Sequence, residues 1–198
     1  MTTFDGTSLP LGYTNSASIG DPWNFGGTPG YNVSPVADQT GNGGFFAWVD
    51  FSGNNLAVTL TAPIVDITSV SNPSLSFWTV SHAAGLGLTT YNFLFIEASD
   101  GLGNWQNVAT LQGETGFDWA WNSYDLTPFV YDSNFVQIRF RGESGGSGPD
   151  FYNDLLLDDI RIGTPVPVPE PSTITLVSSL MLLSARRSRR PPYKALLP

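Results

Sequence analysis

Apolar and polar residues alternate in short runs through the first 164 positions of the chain. Val136, Ile138 and Phe140, for example, alternate with Gln137 and Arg139. A period of two is what a half-buried β-strand requires, because successive side chains leave opposite faces of the sheet. No window repeats its apolar positions at helical spacing over three turns, so helices are not expected here. The runs predict strands over Phe45–Phe51, Leu56–Ala62, Leu75–His82, Tyr91–Ser99, Trp105–Leu111, Trp119–Asp125, Phe135–Arg141 and Leu155–Ile162, with a short one near Thr3–Phe4. Clusters of Gly, Pro, Asn and Asp separate them, as turns demand. Tyr91–Ala98 is apolar at both parities and is expected in the middle of a sheet. Such a series without helices predicts an all-β domain over residues 1–164, two antiparallel sheets packed as a β-sandwich or jelly roll.

Beyond residue 164 the pattern changes. Gly163 to Pro171 reads GTPVPVPEP, and its alternating prolines make residues 165–171 an extended, semi-rigid spacer. Residues 172–198 begin with the uncharged stretch STITLVSSLMLLSA, expected as a short hydrophobic helix outside the core, and continue into RRSRR. The positive-inside rule keeps these arginines cytoplasmic and places the preceding chain outside. Thr173–Ala185 is 13 residues. As a helix it reaches roughly 20 Å, short of the ~30 Å hydrocarbon core. That length suits transient insertion better than a permanent anchor.

The ordered set of VPEPST, hydrophobic stretch and arginine cluster resembles the PEP-CTERM sorting signal. The resemblance implies that an exosortase recognises Pro169, Glu170 and Pro171 and removes the tail during export, with Arg186, Arg187, Arg189 and Arg190 as the basic stop cluster. It implies two partners before processing, an exosortase-type transpeptidase and the membrane, and delivery to the cell envelope or extracellular matrix. Two departures are the short hydrophobic segment and the RPPYKALLP extension. Export also calls for an N-terminal signal peptide, and MTTFDGTSLPLGYT has neither a basic start nor an apolar run. The expectation is an upstream start, an omitted signal or a degraded gene copy.

Charge separates the two parts further. Residues 1–164 carry 16 acidic and 3 basic side chains, a net of −13, while residues 165–198 carry one acid and five bases, a net of +4. A body so acidic repels nucleic acid phosphates, so nucleic acid is not an expected partner. The chain has no cysteine and a single histidine, His82. Disulfide scaffolds, thiolate chemistry and multi-histidine metal centres are thereby excluded.

A second resemblance spans residues 3–162. FDGTSLPLGY is followed by DPWN, GGFFAWVDFSG, LTAPIVDI, PSLSFW, IEASDGLGNWQNVATLQG, WNSYDLTPFV, VQIRFRGESG and LLLDDIRI. This ordered set resembles the MAM-like jelly roll of cleaved-adhesin and choice-of-anchor J domains in secreted bacterial proteins. The resemblance implies an adhesive or binding module, often holding a structural calcium ion, and not an enzyme. Calcium takes six to eight oxygens, which this domain has in quantity. In the resembling domains the ion lies near the first and last strands, and the matching positions are Asp5, Asp50 and Asp159. Asp158 and Asp159 are expected on opposite faces of a strand, and the resemblance favours Asp159.

The remaining candidates have plain readings. GESGG around Ser144 would need a histidine base, and TVSHAAG around His82 does not match a protease histidine motif, so both are expected in structural roles. Asp150, Asp154 and Asp158 are spaced by four, but they run into a strand and the spacing is taken as incidental. SDGLGNW reads as a hairpin turn. Trp105, Trp119, Trp121 and Tyr124 suit sugar stacking, although aromatics in sandwich strands more often fill cores. Glu97, Glu114 and Glu143 are the body's glutamates, and nothing in the sequence pairs two of them as a glycosidase requires. The functional expectation is a secreted, non-enzymatic binding or adhesion module for extracellular polysaccharide or a surface protein. The rivals are a jelly-roll polysaccharide hydrolase or lyase and a ligand-free structural envelope component.

Overall fold

The computed structural model describes residues 2–4, 6–27, 38–39, 44–51, 55–81, 92–112, 118–130, 133–145 and 153–165. The spacer motif Pro169–Pro171, the hydrophobic stretch and the arginine cluster lie outside the described residues, as do Asp5, His82 and Glu114. Among the described residues no helix is long and apolar enough to cross a membrane.

The strands are β1 (Thr14–Ser16), β2 (Asn24–Phe25), β3 (Ala47–Val49), β4 (Val58–Thr61), β5 (Val65–Asp66), β6 (Ser74–Ser81), β7 (Phe93–Ser99), β8 (Gln106–Gln112), β9 (Ala120–Asp125), β10 (Phe135–Glu143) and β11 (Leu155–Gly163). One sheet runs β1-β4-β10-β7-β8, with β5 also paired to β10, and the other runs β2-β3-β11-β6-β9. The described pairings are antiparallel, and the two sheets form the expected jelly-roll sandwich. Each of the eight long predicted strands is present, with its ends shifted by at most two residues. The strand expected near Thr3–Phe4 is a single bridge, Thr2 to Ile160.

The core lies between the sheets. Val136, Ile138 and Phe140 of β10 are all fully buried, while Gln137, Arg139 and Arg141 between them are half-buried on the outer side. The opposing sheet supplies Leu75, Phe77, Leu155 and Leu157, and Phe77 meets Phe140 edge to face at 5.0 Å between ring centres. Trp23 closes the core from the short strand β2, its indole donating to the Val58 carbonyl at 3.1 Å. A buried Trp needs such a partner for its N–H.

β7 meets one expectation. It is interior, between β10 and β8, as its composition suggests. Yet only Leu94, Ile96 and Ala98 enter the core, and Phe93, Phe95 and Glu97 stand on the outer face. The apolar residues of that face are covered by neighbouring side chains and not by a second layer, and this covering builds the site described next.

Candidate ligand-binding face

The register of β10 against β7 sets Glu97 opposite Arg139, Phe95 opposite Arg141 and Phe93 opposite Glu143, all on the outer face of the six-stranded sheet. Glu97 bridges both cations. Its Oε2 accepts from Arg139 Nε at 2.6 Å and from Arg141 Nε at 3.2 Å, and its Oε1 accepts from Arg141 Nη2 at 3.4 Å. Arg141 Nη1 donates to Glu143. Burial pushes the Glu97 carboxyl up, but the hydrogen bonds and charges of the two arginines outweigh it and hold the group below its ordinary value.

Aromatic rings floor this tetrad. The Arg141 guanidinium lies 4.1 Å from the Phe95 ring centre, and Phe93 stacks on Phe95 at 5.7 Å. The Arg139 guanidinium lies 4.3 Å from the Trp105 ring centre. Arg141 is fully engaged. Among the described residues Arg139 hydrogen-bonds only through Nε, so its two terminal nitrogens form an open fork. Ring and carboxylate together fix the plane of that fork, and a planar, pre-oriented donor pair is what arginine supplies at recognition sites. Hydroxyl and amide groups flank it. Thr59 and Thr61 of β4 pair with Arg141 and Arg139, Ser16 and Thr14 of β1 lie beyond them, and Asn107 and Thr110 of β8 border the other side. Five strands at ~4.8 Å spacing make this strip about 19 Å across.

Sequence reasoning did not assemble this face. Trp105 was singled out, but Trp119, Trp121 and Tyr124 lie elsewhere. Tyr124 stacks on Phe77 at 6.1 Å and packs against the core. Trp121 meets Trp78 at 5.2 Å and Trp119 meets Phe46 at 5.5 Å, on the outer face of the other sheet around buried Val80 and Leu156. Those rings contact one another edge to face and form a small secondary core. Glu97 and Glu143, which nothing in the sequence paired, share a face as partners of Arg141. The period-2 pattern of β10 carried a signal for this, since Arg139, Arg141 and Glu143 fall at one parity.

The aspartates are placed differently from expectation. β3 pairs antiparallel with β11, Val49 against Leu155, which sets Asp50 beside Asp154. Asp154 is 5% exposed, accepts from the Phe51 N–H at 3.1 Å, and is pushed up to about 7 by burial, with the Asp50 charge adding to the effect. Around this pair, buried asparagines tie the loops: Asn92 donates to Asn153, and Asn55 donates from Nδ2 to the Asp50 carbonyl and exchanges bonds with Ser144. Ser144 is thus a loop tie. Asp159 lies five residues along the strand, roughly 15 Å away at ~3.3 Å per residue, so Asp50 and Asp159 are not brought together.

Asp158 and Asp159 are both buried. Asp159 has φ +51, and the ladder with β6 shifts register between Asp158 and Arg161. The register sets Asp158 opposite Trp78, at the outer parity, and the left-handed residue of the bulge follows it. Burial pushes Asp158 up to about 6 although the Asp159 and Gln39 N–H groups donate to it. Among the described residues no group of three or more acidic or histidine side chains is placed to hold a metal ion.

No protein-family model and no curated protein matches the chain. Solved structures do. A family 29 carbohydrate-binding module variant matches at TM-score 0.47 with 14% identity, over 86% of this chain and 97% of that one. The K1 cleaved adhesin domain of Lys-gingipain from Porphyromonas gingivalis W83 matches at TM-score 0.58 with 16% identity, over 83% of this chain and 97% of that one. The likeness to the adhesin domain shows a shared jelly-roll fold.

Proposed function

We propose that this chain is a non-enzymatic binding or adhesion module that engages extracellular polysaccharide through the outer face of its six-stranded sheet. The carrying observation is the open guanidinium fork of Arg139, fixed by Trp105 and Glu97 between two strips of hydroxyl and amide groups. A sugar chain presents vicinal hydroxyls along its length, and such a strip offers donors and acceptors at matching intervals without a closed pocket. The test is migration of the tail-less domain through gels containing neutral polysaccharides. Retardation that Arg139→Ala abolishes supports this reading, and free migration in every gel retires it.

The hydrolase reading has one observation in its favour, two carboxylates on a shared aromatic-floored face. It fails on charge. A glycosidase acid must hold its proton near neutral pH, with its carboxyl raised. Glu97 is held low by two arginines, and its oxygens are occupied by their N–H groups.

Two further parts of the proposal concern delivery and stability. The Pro169–Pro171 motif, hydrophobic stretch and arginine cluster act as an exosortase-read label that places the module in the cell envelope or matrix. In an exosortase-bearing host, a reporter carrying this tail should be processed, and replacement of Pro169–Pro171 by alanine should leave it uncut. A structural calcium ion is proposed at Asp159, which is buried beside Asp158; Asp50 lies too far along the strand to share it. Millimolar calcium against chelator should raise the melting temperature by several degrees, since an ion binding only the folded state stabilises it by mass action. An unchanged melting temperature removes calcium from the proposal.

A further inference from the structure

A cleft of about 220 Å³ opens at the edge of the sandwich, between the turn after β7, the start of β8 and the single 3-10 turn at Thr127–Phe129. Among the described residues its polar lining is Asp100, Asn104, Gln106 and Ser133, and its apolar side is Pro128, Phe129 and Val130. It is distinct from the outer face, because Gln106 pairs with Ala98, whose side chain enters the core.

The walls are fixed before any ligand arrives. Ser99, fully buried, accepts from the N–H groups of Gly101 and Gly103 at 3.2 Å each. Both glycines have φ near +88, a conformation that side-chain-bearing residues rarely adopt. Asp100 Oδ1 is held by the Leu102 N–H at 2.9 Å and by Ser99 Oγ at 3.3 Å. Ser133 donates to the Asp100 carbonyl at 3.4 Å and accepts from the Phe135 N–H at 3.0 Å, which locks the opposite wall. Phe129 packs against the core and cannot swing away.

Against that rigid frame, the reaching groups are uncommitted. Among the described residues no hydrogen bond engages the side-chain amides of Asn104 and Gln106 or the second carboxylate oxygen of Asp100. The cleft therefore offers one charged acceptor, two amides that both donate and accept, and a flat apolar side. The described residues that line it include no cation, so among them an anionic ligand would meet Asp100 unopposed. Its volume lies below the 300–1,000 Å³ of pockets for drug-sized ligands and equals about seven waters at ~30 Å³ each.

We infer that this edge cleft is a second binding site, one that takes a single uncharged sugar ring. The ring's C–H face lies on Phe129 and Pro128, two vicinal hydroxyls donate to Asp100, and the amides of Asn104 and Gln106 complete the set. The site goes beyond the outer-face reading and does not depend on it.

The experiment is a titration of the isotope-labelled tail-less domain with galactose, glucose, mannose and glucuronate, followed by amide chemical shifts. A neutral monosaccharide should shift the Gly101, Leu102 and Gly103 amides and the Asn104 and Gln106 side-chain amides, saturating in the millimolar range. Asp100→Asn keeps an Oδ1 acceptor for the Leu102 N–H and should weaken that binding at least tenfold. Asn104→Ala, at an exposed position, should weaken it severalfold with an unchanged melting temperature. Absence of shifts with all three neutral sugars overturns the inference, as does a stronger response to glucuronate. Shifts confined to Thr61, Asn107 and Arg139 overturn it too, while leaving the outer-face reading standing. Free migration in polysaccharide gels together with saturable shifts at the cleft would retire the outer face and keep the cleft.

Discussion

Replacing Asp154 by asparagine should stabilise the domain at pH 8 in the presence of chelator and remove most of its loss of stability between pH 4 and pH 7. The sign follows from the direction of the shift. The folded state holds the Asp154 proton to about pH 7, whereas the unfolded chain releases it near the ordinary 3.8. Below 3.8 both states are protonated and the site costs nothing. Above about 7 both are ionised, and the folded state carries a buried charge beside Asp50. Stability therefore falls as pH rises through this window. Going from 3.8 to about 7 corresponds to about 4 kcal/mol at ~1.4 kcal/mol per tenfold. Asparagine keeps an oxygen for the Phe51 N–H and adds an amide that the Asp50 carboxylate can accept from, so a gain of roughly 2–4 kcal/mol is expected at pH 8. Asp158, pushed up to about 6, leaves a smaller slope of the same sign. Glu97 contributes the opposite slope, because its stabilisation is present above its ordinary value and is lost as pH falls through the lowered one. Urea unfolding of both proteins at pH 4, 6 and 8 measures this. Parallel curves for wild type and variant would show that Asp154 is ionised at little cost in the folded state.

The sheet strands were legible because their signal is local. Alternation at Val136, Ile138 and Phe140 survives any tertiary context that buries one face, and each long run found its place within a residue or two. The short strands β1, β2 and β5 were not legible, since two or three residues carry no period. The site was half legible. Trp105 was visible as an aromatic, but its partner Arg139 lies 34 residues away, and only the register of β10 on β7 and β8 brings them together. Composition placed β7 in the middle of its sheet but said nothing of what covers Phe93 and Phe95. Arginine covers one ring, and the rings cover each other. At Asp158–Asp159 the strict period failed because one backbone angle changed sign, and no side-chain pattern announces that.

Neighbouring substitutions on β10 should separate stability from binding. Phe140 is fully buried and packs edge to face on Phe77, so Phe140→Ala removes a large core side chain and leaves a cavity. The expected cost is about 3–5 kcal/mol, at ~2–4 °C of melting temperature per kcal/mol for a domain of this size. Arg139, one residue earlier, points the other way, with a quarter of its side chain exposed. Its ion pair joins a partly exposed guanidinium to a buried carboxylate that Arg141 also holds, and together with the stacking on Trp105 it is worth about 1–2 kcal/mol. Arg139→Ala should therefore melt within a few degrees of wild type while losing retardation in polysaccharide gels. Glu97 keeps Arg141 in that variant, so no charge is stranded. At a temperature where it stays folded, Phe140→Ala should keep the retardation that Arg139→Ala loses. A folded Arg139→Ala that still binds would move the site off this face, and a Phe140→Ala that melts like wild type would mean that β10 does not seat its even-numbered residues in the core. The period of two along one strand thus becomes a functional statement: one parity holds the sandwich together, and the other is free to meet a ligand.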